Sequence, residues 1–90
     1  MLILESNLRT CFGKALKNRR EKLGLSVATV ANQTKMHKNL IYRYERGEVI
    51  PSVFSAYVLI SALGWSIDSW VSDAQSLFSR KSEKANDRTK

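Results

Sequence analysis

The stretch that decides the fold is residues 19–52, "RREKLGLSVATVANQTKMHKNLIYRYERGEVIPS". Gly24 stands where the C-terminal end of a helix commonly needs a left-handed residue, so it ends a first helix. Ser26 can then cap a second helix through its hydroxyl. The stretch therefore predicts a helix end, a tight connection and a helix of only two turns, which runs to about residue 33 and has an apolar side formed by Val27, Val30 and Ala31.

A third helix is predicted from about residue 37 to residue 45, and its two sides differ in character. At roughly 100° per residue, Ile41, Tyr44 and Glu45 fall on one side of it. Glu45 therefore faces inward, and it needs a buried or half-buried cation as its partner because an unpaired buried carboxylate is costly. The opposite side of the helix is polar and basic, with Lys38, Asn39, Tyr42, Arg43 and Arg46.

Three further helices are predicted on either side of these two, from apolar residues at helical spacing. They cover, in chain order, about residues 7–22, 53–63 and 66–78. The fourth helix of the chain has apolar residues on nearly every side, as a central buried helix would. We therefore expect an all-α, compact five-helix domain over residues 7–78, with an extension at 1–6 and a flexible, disordered basic tail at 79–90.

Length and composition indicate one small domain. The chain has 90 residues, of which 43% are hydrophobic, enough for a compact core. Cys11 is the only cysteine, so the core must hold without an internal disulfide, as is usual in a reducing compartment. The longest apolar stretch, residues 53–63, is too short to span a bilayer. We expect a soluble, intracellular protein.

The distribution of charge is more informative than the net charge of +7. Residues 9–46 contain ten Lys or Arg and only two acidic residues, whereas residues 47–79 contain no Lys or Arg and three acidic residues. Basic side chains can simply solvate exposed helix faces. An asymmetry of this size in so small a domain instead favours a polyanionic partner, with nucleic acid ahead of an anionic membrane surface.

Together with "ALGWSIDSW" at 62–70, the opening stretch resembles the XRE-type helix-turn-helix domain shared by the lambda and 434 phage repressors, Cro and many small bacterial regulators. The resemblance covers residues 12–71. It rests on a combination of elements: Arg20, Gly24-Leu25-Ser26, Ile41, Glu45, Gly47, Pro51 and "ALG" at 62–64. It implies a lambda-repressor-like fold and a cytoplasmic, nucleoid-associated protein encoded by a bacterium or a phage.

The resemblance also implies roles for particular residues. It pairs Arg20 with Glu45 in a structural salt bridge, which supplies the cation that Glu45 needs. It assigns base reading to Lys38, Asn39, Tyr42 and Arg43, and phosphate binding to Lys35, His37 and Arg46. Side-chain chemistry makes the base-reading set plausible, because Arg and Lys can donate to guanine O6 and N7 and Asn can pair with adenine.

Three positions depart from the family pattern. Val27 replaces a glutamine that often contacts phosphate, so that contact is lost or moved. Lys35 occupies a turn position usually held by glycine, which predicts a different turn or some strain. Leu40 stands where a small polar residue is common, and it could meet a thymine methyl group or simply pack.

Two functions fit these observations. The first is sequence-specific binding of double-stranded DNA by a transcriptional regulator, expected to be a repressor. The alternative is a protein-interaction module, such as the antitoxin that holds the toxin of a toxin–antitoxin pair, or a partner of another regulator. We expect no enzymatic activity, because a Gly-rich phosphate loop and a Cys/His pair at useful separation are absent from the sequence. His37 is the only histidine and has no cysteine or acidic cluster beside it, so we expect no metal and no cofactor.

A homodimer is also expected, because one short recognition helix makes few base contacts and relatives commonly pair two domains on a palindromic site. The candidate interface combines the last helix with an extended N-terminal arm, through Leu2, Ile3, Leu4, Trp70, Leu77 and Phe78. The alternative is that Trp70 closes the core of its own chain and that the first four residues fray.

Overall fold

The structure is a computed structural model that describes the backbone of residues 2–88 and the side chains of residues 7–79. This part of the chain is all-α, without a β-strand. Its five helices are α1 (Leu2–Lys22), α2 (Val27–Thr34), α3 (Lys38–Glu45), α4 (Val53–Ala62) and α5 (Ile67–Arg88). The predicted five-helix class is therefore confirmed.

The two terminal helices are longer than the sequence predicted. Helix α1 begins at Leu2, so residues 2–4 belong to a helix and do not form the extended arm we expected. Helix α5 takes in residues 79–88, which we had assigned to a disordered tail. The reason is that this segment contains neither Gly nor Pro, so its sequence has no strong helix terminator.

The helix-turn-helix unit is formed by α2, a three-residue turn and α3. Ser26 caps α2, and its Oγ accepts a hydrogen bond of 3.1 Å from the backbone N–H of Thr29. At the other end of α2, Lys35 adopts a left-handed conformation with φ of 61°. This conformation costs a non-glycine residue roughly 1–2 kcal/mol. The turn is thus kept at this position, and Lys35 carries the strain.

All five helices contribute buried side chains to one hydrophobic core, including the inner sides of α2 and α3. Trp70 is only 6% exposed, and its indole Nε1 donates a hydrogen bond of 3.0 Å to the carbonyl of Phe12. The two rings pack edge to face, with centroids 5.0 Å apart. The alternative for Trp70 is therefore the one observed: it closes the core of its own chain, and its assignment to a dimer interface was wrong.

Arg19 joins the end of α1 to the end of α4. Its Nε donates to the carbonyl of Leu63 and its Nη2 to that of Gly64, each at 3.1 Å, and the guanidinium lies 5.7 Å from the centre of the Trp65 ring. A cation in this place satisfies carbonyls at a helix C-terminus and complements the helix dipole. These contacts hold α1, on which the position of α3 depends, to the rest of the domain.

Candidate nucleic-acid interface

One side of α3 is exposed and carries the residues that the resemblance assigned to base reading. Ile41 and Tyr44 are buried, whereas Lys38, Asn39, Tyr42 and Arg43 are exposed on the opposite side. Eight helical residues span about 12 Å, a length comparable with the width of the DNA major groove. The structure therefore brings this set together on one accessible surface.

The last turn of α3 is held to α1 by an ion pair between Arg20 and Glu45. Arg20 Nε donates to Glu45 Oε2 at 2.7 Å and Nη2 donates to Oε1 at 3.1 Å, which makes the contact bidentate. The third donor, Nη1, reaches the carbonyl of Leu25 at 2.8 Å. The two side chains are only 11% and 6% exposed. The pair implied by the resemblance is thus present, and Glu45 is turned away from the basic surface.

The contact with Glu45 favours the charged form of Arg20. The hydrogen bonds that Arg20 donates to Glu45 raise the pKa of the guanidinium above its ordinary value, although burial opposes that shift. A bidentate guanidinium–carboxylate contact also fixes the relative orientation of the two side chains. Because Arg20 bonds the α1–α2 connection as well, one side chain sets the position of α3 against two earlier segments.

The residues expected to bind phosphate lie at the two ends of α3. Lys35 and His37 are exposed in the turn before the helix, and Arg46 follows its last residue. His37 occupies the N-cap position without a side-chain capping hydrogen bond. Positive or polar groups therefore flank the predicted base-reading residues of α3 at both ends, as contacts with the DNA backbones on both sides of a groove would require.

Two of the departures from the family pattern, Val27 and Leu40, are side chains that pack in or against the core. Val27 is 5% exposed and belongs to the core, so its side chain offers no phosphate contact. Leu40 is half-buried and packs against the core. Neither Val27 nor Leu40 therefore adds to the predicted base-reading residues on the exposed side of α3.

Sequence reasoning missed Glu48, which contacts two of the predicted DNA-binding residues. Its Oε2 accepts a hydrogen bond of 2.6 Å from Arg46 Nε, and its Oε1 lies 3.4 Å from Arg43 Nε. The bond from Arg46 is the main cause that lowers the pKa of the Glu48 carboxyl below its ordinary value. The spacing Arg43, Arg46, Glu48 was visible in the sequence, but it carried no signal because the path of the chain after α3 was unknown.

Helix α1 contributes two exposed lysines that sequence reasoning did not assign to the interface. Lys14 and Lys17 line an open groove together with Arg46. Glu21, Glu45 and Glu48 line the same groove, so its positive and negative side chains are equal in number and the groove is not a simple continuation of the basic surface.

An apolar surface lies at the start of α4. Val53 is 88%, Phe54 76% and Tyr57 65% exposed, and beside them is an apolar groove of about 300 Å³ whose lining includes Ile50, Val53 and Ile67. The expectation that α4 is a central buried helix was wrong. Only Ala56, Leu59 and Ile60 of this helix are buried, because one side of α4 covers the core and the other leaves Val53, Phe54 and Tyr57 exposed.

The other candidates for a dimer interface have different positions. Leu77 and Phe78 on α5 are half-buried against the core. Leu2, Ile3 and Leu4 lie outside the residues whose side chains the structure describes. The apolar surface of α4 is thus much more accessible than the described part of the interface we expected.

Within the described residues, no group of three His, Cys, Asp or Glu side chains could hold a metal ion. A helix long and apolar enough to cross a membrane is likewise absent from that part of the chain.

Comparison with known proteins adds a family. A family model described as a helix-turn-helix domain matches residues 12–68. Two curated relatives are named as HTH-type transcriptional regulatory proteins. One, from Methanococcus vannielii, is 48% identical over 40 residues, or 44% of this chain and 12% of the relative. The other, from Pyrobaculum aerophilum, is 36% identical over 55 residues, or 61% of this chain and 22% of the relative. The chain thus spans less than a quarter of the length of either relative.

Two crystal structures of the clp gene regulator ClgR from Corynebacterium glutamicum are similar in fold. The first has a TM-score of 0.84 at 22% identity and covers 88% of this chain and 84% of the ClgR chain. The second has a TM-score of 0.74 at 25% identity, with coverage of 77% and 88%. The five-helix arrangement described above is therefore one that solved regulator structures share.

Proposed function

The chain belongs to the helix-turn-helix domain family, and we propose that it binds a specific sequence of double-stranded DNA and regulates transcription there. The observation that carries this proposal is the exposed side of α3, where Lys38, Asn39, Tyr42 and Arg43 lie together. The protein acts by occupying an operator, as a repressor, and performs no chemistry on the DNA. This function places it in the cytoplasm, in contact with the nucleoid.

The charge distribution supports this orientation on DNA. The basic residues on and around α3 can neutralise phosphates, while base edges are read by the side chains in the groove. The segment 47–79 has no Lys or Arg, so its side of the domain has no comparable attraction to a polyanion. The domain therefore has one surface suited to DNA, and α3 is at its centre.

Arg43 and Arg46 are expected to differ in what they contribute to binding. Arg43→Ala should cost about 1–3 kcal/mol in specific binding and remove the preference at one base position, because Arg43 lies on the reading side of α3. Arg46→Ala should weaken binding to every sequence alike and lower the salt slope by about one unit, because it releases one phosphate contact.

Selection of bound sites from a random duplex pool, followed by titrations of the selected site at several salt concentrations, tests both statements. A wild-type protein that enriches no sequence would contradict the proposed function. If the wild type is selective, but alanine variants of Lys38, Asn39 and Arg43 all keep its site preference, the assignment of the reading surface is wrong.

We also propose that the protein is a homodimer and that the second copy docks on the apolar surface of α4. Val53 is 88% exposed and lines the apolar groove together with Ile50 and Ile67, and Phe54 and Tyr57 are exposed on the same helix. Exposed apolar side chains on α4 and an apolar groove at the start of the same helix allow a reciprocal contact, in which Val53, Phe54 and Tyr57 of each copy pack against α4 of the other. A contact of this kind is self-complementary and closes with two-fold symmetry.

The apolar character and the charge of this surface agree with that arrangement. Three large apolar side chains, Val53, Phe54 and Tyr57, are each more than half exposed on one helix, and clusters of this kind mark sites of interaction. Few charged side chains border the groove, and Glu48 and Asp68 are the nearest along the chain. Two copies can therefore approach without bringing together the basic surfaces, which remain free for two half-sites about one helical turn apart.

Phe54→Asp should convert the dimer to a monomer in sedimentation at tens of micromolar, because it places a charge within the apolar contact between the two copies. The melting temperature of the dissociated domain should change little, since Phe54 is 76% exposed. Gln75→Asp on the exposed side of α5 is a matched control and should remain dimeric. A wild-type protein that is monomeric at these concentrations would contradict the homodimer and leave the surface for a different protein, such as the toxin of the alternative function.

A further inference from the structure

We propose that Glu48 is a positioning residue that keeps Arg43 on base edges and away from the DNA backbone, and so increases sequence specificity. The inference rests on the proposed DNA-binding function. Its structural basis is the contact of one carboxylate with two arginines of the basic surface: Arg46 Nε at 2.6 Å and Arg43 Nε at 3.4 Å.

The inference depends on which nitrogen of each guanidinium faces Glu48. Both contacts are made by Nε, so the terminal nitrogens Nη1 and Nη2 of Arg43 and Arg46 stay available. An arginine reads guanine by donating two hydrogen bonds to O6 and N7, and it binds phosphate with the same fork of donors. Glu48 can therefore hold the stem of Arg43 while the fork reaches a base.

The exposure of these side chains argues against a role in folding. Arg43, Arg46 and Glu48 have side-chain exposures of 51%, 57% and 47%. Ion pairs as exposed as these contribute little to the stability of a protein. A carboxylate among residues that approach DNA also repels phosphate, so its presence weakens binding in general. Its benefit has to lie in discrimination between sequences.

Discrimination follows from what Arg43 can do on different DNA sites. On a non-cognate site, an unrestrained Arg43 side chain would turn to the nearest phosphate and recover binding energy without reading a base. With its Nε beside Glu48, the Arg43 side chain cannot turn to that phosphate. Its terminal nitrogens then form their two hydrogen bonds only on a site that has a guanine in reach. Specificity is a difference between two affinities, and Glu48 increases it by lowering the affinity for the wrong sites.

The test compares wild type with Glu48→Ala on two duplexes, the site selected by the wild type and a scrambled version of it. Binding to the scrambled duplex should become tighter, while binding to the selected site should gain less. The ratio of the two affinities should therefore fall by roughly twofold to fivefold, because an ion pair as exposed as Arg43–Glu48 can supply no more than that. Preference at the base position read by Arg43 should flatten, and the melting temperature should stay unchanged.

Two further variants separate positioning from charge alone. Asp73→Ala removes the same charge from the exposed surface of α5, and it should tighten binding to both duplexes alike. In the Arg43→Ala background, Glu48→Ala should cause no additional loss of preference at that base position, because the residue it positions is already gone.

The outcomes distinguish this inference from the function on which it rests. If wild type selects no sequence, the proposed function fails. If wild type is selective and Glu48→Ala keeps the same affinity ratio, or shifts it only as Asp73→Ala does, the positioning role of Glu48 is overturned while the DNA-binding function stands.

Discussion

Replacing either Arg20 or Glu45 by alanine should lower the free energy of unfolding by about 3–5 kcal/mol, a large part of the stability of a domain of this size. The two side chains are 11% and 6% exposed, so each single variant leaves a charged group nearly buried without its partner. Arg20→Ala also removes the donor to the Leu25 carbonyl. Chemical denaturation followed by circular dichroism measures the loss directly.

The Arg46–Glu48 pair provides a matched control for this prediction. Its shortest N–O distance is 2.6 Å, against 2.7 Å for Arg20–Glu45, but its side chains are 57% and 47% exposed. Arg46→Ala should therefore lower the free energy of unfolding far less than Arg20→Ala does, because water and salt screen an exposed pair. The comparison contrasts a buried, bidentate pair with an exposed pair that has one hydrogen bond, at nearly the same shortest distance.

A double-mutant cycle completes the test of the buried pair. Arg20→Ala combined with Glu45→Ala should be clearly less destabilising than the sum of the single variants, since the double variant contains neither unpaired charge. Additive losses, with no coupling energy between the two positions, would contradict a direct interaction.

The direction of Glu45 illustrates what local sequence predicts well. Helical periodicity placed Glu45 on the inner side of α3, and the cost of a buried carboxylate required a cation. Periodicity cannot say which cation, because residues 20 and 45 are brought together only by the fold. The identification of Arg20 came from the resemblance, and the structure shows the contact.

The sequence did not predict three other features of the structure, and the physical reason differs from one to the next. Helix α4 has apolar residues on nearly all sides, so its pattern cannot reveal which side packs on the core and which leaves Phe54 and Tyr57 exposed. Glu48 follows the last turn of α3, where the path of the backbone decides what the side chain meets. For Lys35 the sequence predicted either a different turn or some strain, and its left-handed backbone conformation shows that the outcome is strain.

Gly13→Ala is expected to destabilise the domain by about 2–3 kcal/mol, although alanine in a helix interior usually stabilises it by about 0.5–1 kcal/mol relative to glycine. The sign is reversed because α1 crosses the end of α3 at this point. A Cβ on residue 13 would lie 2.6 Å from the carbonyl oxygen of Glu45 and 2.9 Å from its carbonyl carbon, and it would also collide with the carbonyl oxygen of Tyr44.

Relaxation at this contact would have consequences for the reading surface. The atoms in the way belong to the backbone, so they cannot turn aside as a flexible side chain would. Moving them would shift the last turn of α3, which carries Glu45 and lies next to Arg43. The Gly13→Ala protein should therefore lose affinity for its selected DNA site in addition to stability.

Gly24→Ala is the control that separates this collision from the loss of a glycine as such. A Cβ at residue 24 would meet no atom within 4 Å, and its cost comes from the left-handed backbone, with φ of +72°. We expect a loss of about 1 kcal/mol from that source and little change in DNA affinity. Chemical denaturation of both variants gives the comparison. A Gly13→Ala protein as stable as wild type would show that α1 does not approach the end of α3 as closely as described.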